Sequence, residues 1–432
     1  MVHLIKPIFK TGAQRLQDFR HFELRHVELP MTPSDPFEKR IKRHVLGRPQ
    51  SFYISTLPGV EHLCAGELTS MGLAPADGGT GKGGAVFAGR IPDCYRANLT
   101  LRTANRILMR IDEFTATNFR QLEKKTADFP WELYLSPNAM VDVRVTAKRS
   151  RLMHTDAVTE HFKSGLSKRM ETILESAEKN RCADSFVQRM FIRAEDDRFT
   201  VSLDSSGELL HKRGLKSRSG AAPIRETIAA AILMLSGYQP GDLLVDPMCG
   251  AGTFSLEAAM LAAHIPAGWF REFAFMGWPC FKPAQWAHIR REVEKKITRL
   301  SDPVVFASDI GPENCLALEK IFKDTPLLSE TAQVTARDFF SLHPSALNIP
   351  AAKRQSGLII LNPPYGLRLG NKEAAALEIA DIGQKLKKDF RGWRLALIVP
   401  EARMMSHIPF PVTPRPLFHG GLTVTLLTGR IS

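Results

Sequence analysis

Leu358-Ile359-Ile360-Leu361-Asn362-Pro363-Pro364-Tyr365-Gly366 is the stretch that decides the fold of this chain. Four apolar residues without polar alternation read as a strand buried on both faces, as in a parallel sheet. The run then stops at a polar, proline-stiffened corner. The two prolines remove backbone donors and fix two φ angles, which presets the neighbouring carbonyls and the Asn362 amide. Tyr365 follows at once. Oxygen acceptors beside an aromatic ring suit the amino group of a flat base.

Outward from that corner the chain alternates. The helical stretch IRETIAAAILMLS precedes the strand DLLVD, and TFSLEAAMLAAH follows it. VVFASD, QVTARD and RLALIVP are further strand candidates, separated by helices such as AAALEIADIGQKLKKDF, and GLTVTLLTG reads as an antiparallel edge strand. This grammar predicts an α/β fold, a doubly wound parallel sheet. In such sheets ligands sit beyond the carboxyl ends of the strands. There the sequence places Asp246-Pro247-Met248-Cys249-Gly250-Ala251-Gly252-Thr253. Gly250 and Gly252 permit a tight turn and close approach of a ligand, and Thr253 is placed to cap the next helix. No G-K-[ST] phosphate cradle follows. Asp309 and Asp338 close the next two strands, where an acid can meet ribose hydroxyls or an adenine amino group. Taken singly, each is better read as a turn or cap residue; their occurrence in strand order with the glycine turn and the Asn362 corner favours a site.

The front half differs. Residues 1–50 mix basic residues with prolines and suggest a poorly ordered basic arm. FYISTLP, a helix-like GVEHLCAGELTSMG, a glycine-rich turn at Gly78–Gly84 and AVFAG follow; Lys82 precedes Gly83, so a hairpin loop is preferred to a nucleotide site. Between Ile107 and Asp204, MVDVRVTAK and FTVSLD alternate as strands and HTDAVTEHFKSGLSKRM is helical in period. Lys148, Arg149 and Arg151 cluster beside these elements, and Lys212, Arg213 and Lys216 lie in a basic link. Either a solvated face or a phosphate-tracking surface fits, and the clustering favours the second.

Composition agrees with a nucleic-acid partner without proving one. The chain has 432 residues, a net charge of +13 and a pI near 9.5, which favours polyanions. No apolar run is long enough for a membrane span and the N-terminus lacks an apolar leader core, so a cytoplasmic location is expected. Six dispersed cysteines suggest neither a metal site nor a disulfide framework. Cys280 follows Pro279, as in thiolate methyl-transfer enzymes, but it lies in the aromatic insertion FREFAFMGWPCFKPAQW, where a packed thiol and a hydrophobic lid over the sheet are the preferred readings.

DPMCGAGT, Asp309, Asp338 and NPPYG together resemble the Rossmann-like S-adenosylmethionine-dependent methyltransferases that act on exocyclic amino groups. More narrowly, LDSSGELLHKRGLK, APIRETIAAAIL, DPMCGAGTFSLEAA, FAFMGWPCFKPAQW, NPPYGLRLG and FRGWRLALIVP resemble the ribosomal-RNA guanine-N2 methyltransferases that carry a THUMP domain, of the large-subunit type. The resemblance implies a ferredoxin-like α+β subdomain over residues 51–105, a THUMP-like RNA-binding domain over 106–210 and a methyltransferase domain over 211–432. It implies S-adenosyl-L-methionine as cofactor, with Asp246, Gly250, Gly252 and Thr253 at its methionine part, Asp309 at the ribose and Asp338 at the adenine. Asn362 and the Pro363 carbonyl would accept hydrogen bonds from the target amine while Tyr365 stacks on the base. Lys148, Arg149, Arg151, Lys212, Arg213 and Lys216 would hold RNA, and neither metal nor covalent nucleophile would be needed. The expected product is N2-methylguanosine in large-subunit (23S) ribosomal RNA. A transfer-RNA guanine, an adenine-N6 in DNA and an inactive ribosome-assembly role are the alternatives. A second methyltransferase unit, carried by some relatives, is not expected here.

Overall fold

The computed structural model describes residues 36–81, 83–137, 139–176, 187–216, 224–347, 349, 357–363, 372–419 and 422–432. The chain opens with a short helix, Pro36–Ile41, continued by a π turn at Lys42–Leu46. Ile41 and Val45 are buried and Arg40 pairs with Glu132 at 2.8 Å. The expectation of a loose arm through residue 50 is therefore corrected for its end: apolar residues four apart fold that stretch onto the core. Residues 1–35 lie outside the described residues.

Seven strands follow: β1 Gln50–Thr56, β2 Pro75–Gly81, β3 Gly84–Gly89, β4 Ala104–Thr115, β5 Met140–Lys148, β6 Val187–Glu195 and β7 Arg198–Asp204. They form one sheet in the order β2-β3-β1-β4-β7-β6-β5. Helices α1 (Glu61–Ser70), α2 (Ile91–Thr100), α3 (Phe119–Asp128) and α4 (Thr155–Ser176) lie between strands. Alternation explains the layering: Phe52, Ile54, Ile107, Met109, Ile192 and Val201 are buried on one side, while their neighbours point the other way. β5 and β6 are parallel, a pairing that needs a crossover, and α4 supplies it. The glycine-rich stretch near Gly78 is part of the β2–β3 hairpin.

The second sheet is Rossmann-like. β8 Leu244–Asp246, β9 Val305–Asp309, β10 Ala332–Ala336, β11 Leu358–Leu361 and β12 Arg394–Val399 run parallel; β13 Thr413–His419 and β14 Leu422–Arg430 are antiparallel. The order is β10-β9-β8-β11-β12-β14-β13. Helices α5 (Glu226–Leu235), α6 (Thr253–Ala262), α7 (Pro283–Glu294), α8 (Pro312–Lys323) and α9 (Lys372–Asp389) accompany it. All four residues of β11 are 0% exposed, which explains the missing polar alternation. The strand order reverses between β8 and β11, the switch point at which such sheets bind ligands. GLTVTLLTG is antiparallel but not the edge: β13, with Pro414 and Pro416, lies outside it.

A buried seam joins the two sheets. The aromatic insertion expected as a lid packs instead against α2, with Phe275 stacked on Tyr95 at 4.4 Å. Trp278 Nε1 donates to Gln188 Oε1 at 2.9 Å. Beside it, Arg213 donates to Glu257 at 2.7 Å and Arg102 approaches the same carboxylate at 3.5 Å. Arg271 donates to the carbonyls of Ser206, Glu208, Leu209 and Lys212, threading the basic link through the seam.

Candidate active site

The sheet register brings four of the predicted positions to one edge. Ile359 is level with Val245 and Asp246 with Ala307. Asn362 and Asp309 therefore emerge from strands adjacent to β8, about 5 Å away on either side. Asn362 is half-buried and Pro363 buried. Tyr365 lies outside the described residues.

The loop after β8 is built by two left-handed glycines. Gly252 has φ +70°, and a Cβ there would overlap the Leu318 side chain. Gly250 has φ +50° with open space where a Cβ would point, so the loop presents bare backbone to a ligand. Because Gly252 occupies the position that caps α6, Thr253 does not cap that helix. Its hydroxyl instead accepts from Lys216 Nζ at 2.7 Å.

Asp309 organises this loop. One oxygen accepts from Gly250 N–H at 2.8 Å; the other accepts from Gly311 N–H at 2.9 Å and the Asn314 amide at 3.1 Å. A carboxylate has roughly four acceptor sites, so one stays open for a hydroxyl. Asp338 stands two residues beyond the end of β10, exposed, opening a 3-10 turn rather than closing the strand. Beside these acids, Ile310 is 78% exposed and Phe340 is 43% exposed. Two bare apolar side chains at neighbouring strand ends can sandwich a flat ring. Sequence reasoning gave neither a ring-stacking role; Ile310 directly follows Asp309 and Phe340 stands two residues after Asp338, the one available signal.

Asp246 is 1% exposed and accepts from Ser255 Oγ at 2.6 Å. Burial lifts its carboxyl to about 7, and nearby Asp309 adds to the rise. Lys216 lies within 3.5 Å of Glu226 at the first turn of α5. Burial holds the Lys216 amine below its usual range and the Glu226 carboxyl above its own. Burial also pushes the Cys280 thiol up to about 12, the state of a packed thiol rather than a nucleophile.

The expected RNA contacts divide. Arg213, with a side chain 3% exposed, is consumed by Glu257 and two backbone carbonyls. Lys216 points inward at Thr253. Both are corrected from surface contacts to inward ones: Arg213 found a buried carboxylate partner in Glu257 and Lys216 a half-buried one in Glu226. Lys148, Arg149, Arg151 and Lys212 stay exposed. Arg149 pairs with Glu195 and Asp196, Arg151 with Asp197, and Lys212 with Glu208.

Known proteins share this architecture. The family profile described as "RMKL-like, methyltransferase domain" matches residues 213–409, and one described as "RlmL ferredoxin-like domain" matches residues 51–108. The chain is 30% identical over 390 residues to "Ribosomal RNA large subunit methyltransferase K/L" of Allochromatium vinosum, covering 88% of this chain and 51% of that protein. It is 31% identical over 337 residues to "Putative RNA methyltransferase YpsC" of Bacillus subtilis, covering 77% of this chain and 83% of that one. The chain thus spans about half the length of the K/L relatives it matches. Among solved structures, SMU.472 in complex with SAH is similar with a TM-score of 0.77 at 25% identity, over 89% of this chain and 99% of that one.

Proposed function

The chain belongs to the RMKL-like methyltransferase family, and from that premise we propose that it transfers methyl from S-adenosylmethionine to guanine N2 in large-subunit ribosomal RNA. The observation that carries the reading is the Asn362–Pro363 corner standing beside the glycine loop at the switch point. Residues 51–105 and 106–210 present the RNA, residues 211–432 perform the transfer, and the protein works in the cytoplasm with its substrate.

The site suits the donor: the bare backbone at Gly250, the free acceptor site on Asp309 and the Ile310–Phe340 pair match its amino-acid part, ribose and adenine, with Asp338 near the last. Bound there, S-adenosylmethionine supplies a methyl carbon activated by its sulfonium. A guanine amine is a poor nucleophile because its lone pair is delocalised into the ring. The Asn362 side-chain oxygen and the Pro363 carbonyl accept its N–H groups, and these bonds strengthen as the nitrogen pyramidalises, so they favour the transition state over the ground state. Pro363 has a fixed φ that holds its carbonyl in place beforehand, which removes part of the cost of orientation. The base is unpaired or flipped to reach the corner. Mass-spectrometric mapping of nucleosides in large-subunit RNA and in transfer RNA, each treated in vitro with the chain and labelled donor, tests this. Labelled N2-methylguanosine is expected; labelled N6-methyladenosine, or label only in transfer RNA, refutes it.

Two consequences concern the donor. Replacing Asp309 with alanine removes a ribose acceptor and the anchor of two backbone N–H groups, so calorimetry is expected to show donor affinity falling about 10- to 100-fold. Unaltered affinity removes Asp309 from that role. The second concerns pH. Asp246 titrates near 7, and its ionised form favours a cationic donor. Affinity therefore rises with pH up to about 7, by at most about tenfold per unit, and levels off above it. In the unliganded protein the sign reverses. A carboxyl raised by burial stabilises the fold fully below the ordinary Asp range, and that contribution is lost as pH climbs through 7. Donor affinity independent of pH between about 6 and 8 excludes Asp246 from the donor's charge environment.

A further inference from the structure

Opposite the face that carries Phe52 and Ile54, the first sheet opens into a groove among the described residues. The register fixes what stands there. Ser51 pairs with Arg110, Arg110 with Ser202, Ser202 with Phe191 and Phe191 with Arg144, so all share one side. Along that row and the rows beside it stand six arginines: Arg106, Arg110, Arg144, Arg189, Arg193 and Arg198. Four carboxylates, Glu113, Asp142, Glu195 and Asp204, stand among them, leaving an excess of positive charge.

Two features distinguish this face from an ordinary solvated one. Arg110 lies over the Tyr53 ring at 5.6 Å and has no ion pair among the described residues. Arg106 lies over the Phe191 ring at 5.4 Å while held by Asp204. The rings and Leu108 line an open groove of about 630 Å³, whose rim carries Arg144 and Arg193, 65% and 67% exposed, each paired with one carboxylate of the same face, Asp142 and Glu195. Exposed guanidinium forks take phosphates in pairs of hydrogen bonds, and rings topped by arginine take bases by stacking. Ser202, Thr200 and Thr146 line the same groove.

We propose that this sheet face is a binding platform for single-stranded RNA, stacking bases on Tyr53 and Phe191 and fixing phosphates with Arg144, Arg193 and Arg198. The proposal rests on the RNA-methyltransferase reading and extends it: the strand flanking the target lies across β1, β4, β7, β6 and β5. A second copy of the chain is a poorer occupant, because a two-fold contact would set arginines against arginines.

The test uses the full chain, a labelled single-stranded oligoribonucleotide read by anisotropy over a range of salt, and calorimetry with S-adenosylhomocysteine. The double variant Arg144→Glu/Arg193→Glu changes exposed side chains only. It is expected to bind RNA about a hundredfold more weakly, with the log–log salt slope flattened by roughly 0.7 for each phosphate that is no longer neutralised. Cofactor-product affinity should not move. Ultraviolet cross-linking of the parent chain is expected to mark Tyr53 or Phe191. Parent-like RNA binding by the double variant, cross-links confined to the second sheet, or a dimer that the substitutions dissociate each overturns the proposal. If the parent chain fails to bind S-adenosylhomocysteine but the variant still loses RNA, the methyl-transfer reading falls and the platform stands.

Discussion

Replacing Asn362 with alanine is expected to slow methyl transfer about a hundred- to a thousandfold, the usual consequence of deleting one preorganised hydrogen-bonding group that acts on developing charge. Donor affinity should stay within a few-fold of the parent, because Asn362 leaves β11, the strand next to the one that leads into the glycine loop. Single-turnover transfer of labelled methyl to RNA, set beside donor calorimetry, separates the two effects. Aspartate at the same position retains an acceptor and should recover part of the rate. A rate unchanged in the alanine variant would show that the amine is held elsewhere.

Glu257→Ala is expected to destabilise the fold more than any of the site substitutions, costing about 3–5 kcal/mol. Glu257 is 0% exposed and stands between Arg213 and Arg102, both nearly as deeply buried. Removing the carboxylate leaves two guanidinium charges without their anion in a buried seam, where burial already disfavours the charged form of Arg102. Urea unfolding reads the loss directly. Glu257→Gln keeps the shape and two acceptor lone pairs and should cost less. A loss below about 1 kcal/mol for the alanine variant would mean the seam admits water.

The parallel strands were legible because burial on both faces leaves an unbroken apolar run, as in Leu358–Leu361, and the corner after it because prolines restrict their neighbours. Asp309 was legible as a strand-end acid, but its bonds to Gly250 and Gly311 were not, since they depend on how two loops meet. β4 and β6 escaped notice for a physical reason. On their open faces Arg106 and Arg110 flank Leu108, and Arg189 and Arg193 flank Phe191, so the polar alternation that marks a half-buried strand is interrupted. Arg213 misled because its partner lies 44 residues away on α6, and no local pattern encodes such a pairing. The aromatic insertion was correctly read as apolar, yet its destination against Tyr95 depends on the other half of the chain.

Pro414 and Pro416 sit in the outermost strand of the second sheet, two residues apart, so both lack a donor on the same side. The ladder to β14 needs donors, and the residues that alternate with the prolines can supply them, which leaves the gaps on the outer side. An extended segment from another molecule would find two gaps in the ladder it must complete, beside the positive charge of Arg415. The second sheet thus ends on this side at a border that cannot continue its ladder.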